Sequence, residues 1–172
     1  HGRVIAVSSA SPYEGKVVTL SADQSTTNTA YTGIAGMSNI EVPAGNIFEF
    51  EFIGSYTGAA TTTGCRLSAR LTSGNGTTRG SWYGHNAQSS TPTALTLEDG
   101  ESFSIGSAVL QTLDLTGTNN TAGKNFIQIK GIIDARSATT KGVLTIAWAT
   151  EVSASAVVIK EGSVLKYKSY IT

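Results

Sequence analysis

The segment Arg79-Gly80-Ser81-Trp82-Tyr83-Gly84-His85-Asn86 sets two large aromatic rings beside an imidazole and a carboxamide, and its glycines leave room for a ligand to approach the backbone. Trp82 and Tyr83 are of the types that stack on sugar rings, while His85 and Asn86 can hydrogen-bond ring hydroxyls; these four are the candidate ligand-binding residues. The competing reading is simpler: with either ring turned inward on a strand, the cluster is core or a subunit contact.

Catalysis has less to stand on. A nucleophilic serine needs a positioned base, and apart from His1 the chain offers only His85, expected in a loop between Gly84 and Asn86. No Gly-x-Ser-x-Gly elbow precedes a helical pattern. Glu49 and Glu51 project the same way from one strand, and Glu98, Asp99 and Glu101 share a turn. Glycosidase chemistry needs carboxylates facing each other across a cleft, so a solvated face and an acidic turn are the plainer readings. The acidic turn offers part of a calcium cage, which requires six or more oxygens. Cys65, His85 and the scattered acids lack the short spacings of a metal site. The chain is therefore expected to be no enzyme and to need no metal or cofactor.

Composition narrows the partners. The 172 residues hold 12 Lys and Arg against 12 Asp and Glu, for a formal net charge of +0. Charged residues make up only 14%, against about 25% in an average globular protein, and Ser plus Thr supply roughly a quarter of the chain, so hydroxyls and amides carry its solubility. With no basic cluster there is no counterion-release term, and no nucleic-acid partner is expected. No apolar run reaches the ~20 residues that span a bilayer, so no membrane insertion is expected. Cys65 is the single cysteine; an intrachain disulfide is excluded and its alternating apolar neighbours make it a core side chain. His1 and Gly2 read as the remnant of an affinity tag, and residues 1–14, with Val4, Ile5 and Val7, as an arm or an edge strand ahead of one domain at 15–172.

The elements that must position the cluster follow a period of two. Phe48, Phe50 and Phe52 alternate with Glu49 and Glu51; Cys65, Leu67, Ala69 and Leu71 with Arg66, Ser68 and Arg70; Ile127, Ile129, Gly131 and Ile133 with Gln128, Lys130 and Ile132; Leu144, Ile146 and Trp148 with Thr145 and Ala147. Each predicts a strand with one core face and one wet face. Weaker strand signals lie at 16–20, 31–34, 38–42, 79–83, 102–105, 157–159 and 164–167, so residues 142–170 close the chain on strands around a connection of small residues. Turn chemistry separates them at 43–45, 58–64, 73–76, 98–100, 116–123 and 161–162. No stretch sustains a helical period. The fold class is all-β, a single-domain, two-sheet antiparallel sandwich, with a jelly roll as the expected form.

Several of these motifs together carry a resemblance. Phe48-Glu49-Phe50-Glu51-Phe52 with Tyr56, then Ala59-Ala60-Thr61-Thr62-Thr63-Gly64, Gly131-Ile132-Ile133, and Gly142 to Val152 leading into Ala156-Val157-Val158-Ile159-Lys160-Glu161-Gly162-Ser163 resemble a surface domain of tailed-bacteriophage virion proteins, over roughly residues 16–170. Glu161 departs from the small residue such a pattern would place there. The resemblance implies a tail-fibre tip: a jelly roll similar to tumour-necrosis-factor and complement-C1q knobs, assembled as a homotrimer on the virion surface. Its partner would be a glycan or protein receptor on the host cell, reached through loops at 72–78, 79–93 and 116–124. The alternatives are a head decoration protein that binds phage capsid or tail proteins and cements the capsid, and a free-standing carbohydrate-binding module.

Overall fold

The computed structural model describes residues 15–71, 77–85, 111–115 and 125–171. Twelve strands follow one another: β1 (Lys16–Thr19), β2 (Gln24–Thr26), β3 (Thr32–Gly33), β4 (Ile40–Val42), β5 (Asn46–Gly58), β6 (Cys65–Leu71), β7 (Thr77–His85), β8 (Gln111–Leu115), β9 (Asn125–Asp134), β10 (Gly142–Thr150), β11 (Val157–Ile159) and β12 (Val164–Ile171). No helix occurs among the described residues. The strands form two sheets, and every pairing is antiparallel. The molecule is a two-sheet β-sandwich.

β5 is the spine of a seven-stranded sheet. One of its edges pairs with β12 and then β11, which lead on to β1 and β2; the other pairs with β9, which leads on to β7. The second sheet has five strands in the order β3-β10-β6-β8, with β4 also on β10. Alternation along β5 explains its length. Phe48, Phe50, Phe52 and Tyr56 are all buried on the inner row, and Gly54 continues that row where a side chain cannot fit. A Cβ there would lie 2.8 Å from Ser163 Oγ and 2.9 Å from the Phe52 ring.

The core meets β5 from both sides. Ile127, Ile129 and Ile133 of β9 and Leu165 of β12 extend its inner row, while Leu67, Leu144, Ile146 and Trp148 face it from the other sheet. Each such side chain contributes about 1.5–3 kcal/mol by leaving water. Between β3 and β4 the chain folds onto β10: Ile34 N–H donates to Ile146 C=O at 2.9 Å and Ile146 N–H to Met37 C=O at 3.0 Å, sealing Ile34 and Met37 inside.

Three expectations need correction. β2 and β8 arise where no strand is predicted: Gln24–Thr26 has no apolar residue, and it is held by its pairing with β11. The wet face of the five-stranded sheet is not uniformly wet, since Ser68 and Ala147 are buried along with Ala149. His85 does not lie in a loop; it is the last residue of β7, so the expected specificity loop at 79–93 begins as strand. Asn86, the arm at 1–14, the strand expected at 102–105, the turns at 73–76 and 98–100 with the calcium candidate, and the loop at 116–124 fall outside the described residues.

Candidate ligand-binding surface

β7 lies against β9 in a register that divides the Trp82 cluster. Trp82 pairs with Ile129, a buried residue of the inner row, whereas Tyr83 pairs with Gln128 and His85 with Phe126. Gln128 and Phe126 belong to the outward row of β9 and are half-buried. The three described residues of the cluster therefore do not share one register position: Trp82 pairs with a residue of the inner row of β9, Tyr83 and His85 with residues of its outward row.

Phe126 opens onto a shallow depression of ≈ 290 Å³ on the outward face of the seven-stranded sheet. Ile53 of β5 and Val164 of β12 line it with apolar surface, and Ser55, Glu161 and Lys166 supply polar groups. The turn at Glu161-Gly162 forms one wall. Gly162 adopts φ 83, a left-handed conformation that favours glycine, and nothing lies within 4 Å of the place a Cβ would take. That wall is held from behind. Asp23 accepts hydrogen bonds from Lys160 Nζ and, at 2.8 Å, from the Glu161 amide. Gly162 N–H donates to Leu20 C=O at 2.9 Å, and Lys160 N–H to Ser55 C=O at 2.9 Å. The Lys160 hydrogen bond, followed by that of the Glu161 amide, keeps the Asp23 carboxyl below its usual range.

A second, equally shallow cleft of ≈ 270 Å³ runs along the middle of the same face, between Val17, the acids of β5 and the lysines of β12. Its acids and Lys166 are already engaged. Gln128 Nε2 donates to Glu51 Oε1 at 2.7 Å, Lys166 Nζ lies 3.6 Å from Glu51 Oε2, and Tyr170 Oη donates to Glu49 Oε2 at 2.6 Å. Lys168 Nζ stands 4.7 Å from the centre of the Tyr170 ring. This ladder explains the spacing of Glu49 and Glu51 as cross-strand pairing.

Buried titratable groups offer no nucleophile. Burial pushes the Cys65 thiol upward, and burial, followed by Cys65 and Glu151, does the same to the Tyr56 hydroxyl. Both sit wholly inside the sandwich. No group of three or more His, Cys, Asp or Glu among the described residues could hold a metal ion.

Sequence reasoning missed the depression itself. Ile53, Phe126 and Val164 come from three strands, and only their register brings them together. The one available signal was Glu161, the residue that breaks the pattern of small turn residues. Compared with family models, curated proteins and solved structures, the chain matches none.

Proposed function

We propose that this chain is a virion surface protein of a tailed bacteriophage: a jelly-roll knob that assembles as a homotrimer and attaches the particle to a receptor on the host cell. The observation that carries this reading is apolar surface left on the outward side of the seven-stranded sheet. Val17 is 62% exposed, Ile132 49% and Tyr170 38%. Isolated exposed apolar residues are ordinary, but these come from β1, β9 and β12 and lie on one outward row, in register with Lys166, Glu49 and Ile47. Covering them with another copy of the chain removes that apolar area from water. The number three rests on the likeness to trimeric knobs.

A trimer suits adhesion physically. Three weak sites on one rigid body raise avidity by about 10²–10⁴ without any new contact. Chemistry at the site is binding alone: an apolar floor, a few polar groups and no activated nucleophile among the described residues. The test is adhesion of the purified protein to host cells, run beside binding to phage capsids. Cell binding by a trimeric species is the expected result. Capsid binding with a raised capsid melting temperature would favour the decoration reading, and a monomer that binds soluble glycan would favour a carbohydrate-binding module.

A further inference from the structure

We infer that the depression between Phe126 and the Glu161-Gly162 turn is a saccharide subsite that takes neutral or amino sugars and rejects acidic ones. The inference deepens the adhesion reading and rests on it.

Size and lining come first. At ≈ 290 Å³ the depression lies near the bottom of the range for small-molecule sites, about 300–1,000 Å³, which suits one or two sugar rings better than a folded peptide. Its floor is the half-buried Phe126 with Ile53 and Val164, a surface that can meet the C–H face of a pyranose. Ser55 and Glu161 at the rim can hydrogen-bond hydroxyls.

Charge then selects among sugars. Lys166 is matched by Glu51 at 3.6 Å, and Lys160 by Asp23. The Glu161 carboxylate forms no ion pair among the described residues, so the rim carries one uncompensated negative charge. An acidic sugar would bring a like charge to it, whereas a protonated amine would complete an ion pair.

Preorganisation supports a binding role over a passive dent. Hydrogen bonds that Lys160, Glu161 and Gly162 donate to Ser55, Asp23 and Leu20 fix the turn that carries Glu161, so little order is lost when a ligand arrives.

The test measures binding of three probes to the purified full chain by saturation-transfer NMR and calorimetry: the trisaccharide of glucosamine, maltotriose, and trigalacturonate. The glucosamine trimer should bind most tightly, maltotriose more weakly and trigalacturonate least. Phe126→Ala should weaken the first two by roughly tenfold, the scale of a lost stacking contact. Glu161→Gln, a change on an exposed turn that leaves the core intact, should remove the preference for the amine, so that the glucosamine trimer binds no more tightly than maltotriose. Binding of trigalacturonate above the other two, no binding of any probe, or amine preference that survives Glu161→Gln overturns the subsite. Host-cell adhesion is scored separately on the same proteins. Adhesion that persists unchanged in both variants sinks the subsite and spares the adhesion reading; wild-type protein that binds sugar but no cells sinks the adhesion reading alone.

Discussion

The two sheets finish their outer surfaces differently. On the five-stranded sheet, Ser68 of β6 and Ala147 and Ala149 of β10 belong to the row opposite the core, yet all three are buried. Arg66, on the same row, stands with its guanidinium 5.1 Å over the ring of Tyr31. Small side chains and stacked larger ones close that surface within the chain. On the seven-stranded sheet the outward row alternates paired charges with apolar residues, and Val17, Ile132 and Tyr170 remain exposed. One face closes its apolar groups within the chain and the other leaves some exposed, and it is on the second that the proposed assembly would take place.

The largest effect should come from charging the uncovered face. Val17→Lys combined with Ile132→Lys should weaken self-association by more than about a hundredfold while changing protomer stability by less than about 1 kcal/mol, because both side chains are already largely in water. Sedimentation velocity over a concentration series, with urea unfolding as the fold control, reads both quantities. The mirror experiment strikes the closed face. Ala149→Leu forces a larger side chain into a fully buried position and should cost about 1–3 kcal/mol by urea titration, with association intact once the protein is folded. If the two variants exchange phenotypes, the contrast between the faces is wrong.

A finer probe of the closed face is Ser68→Ala. The Ser68 hydroxyl is buried and has no hydrogen-bond partner among the described residues, so removing it should leave stability unchanged or raise it by up to about 1 kcal/mol. A loss above about 1 kcal/mol would reveal a partner for that hydroxyl. The smallest expected effect belongs to the uncovered face and is pH-dependent. Asp23 has a lowered pKa in the folded protein, so its clamp on the Glu161 turn contributes above the unfolded aspartate pKa of about 3.9 and is lost as pH falls through the lower folded value. Amide shifts at residues 160–163 should therefore move together in that acid window, and Asp23→Asn should abolish the transition while leaving the sandwich folded at neutral pH.

Much of the sandwich was legible because a half-buried strand repeats every two residues. Phe48 to Phe52, Cys65 to Leu71, Ile127 to Ile133 and Leu144 to Trp148 all occupy the predicted faces. Glycine hid the rest of β5: the apolar alternation breaks at Gly54 and Gly58 reads as the start of a turn, although both sit on the inner row and the strand runs through them. The same masking by Gly84 made His85 look like loop. β8 did carry a signal, Leu113 and Leu115 at alternate positions, which went unread beside the polar stretches around it. Pairing partners were beyond reach, since register between distant strands leaves no local trace. For that reason the Trp82 to Asn86 cluster could be named from its residue types, whereas its division by register and the meeting of Phe126, Ile53 and Val164 could not.

Mass photometry of the purified chain, followed across dilution, is the most direct check that the seven-stranded sheet is a contact surface. A dominant species at three times the 17.8 kDa protomer mass, lost in the Val17→Lys and Ile132→Lys double variant, is the predicted result. A single protomer at every concentration, in wild type and variant alike, would contradict it.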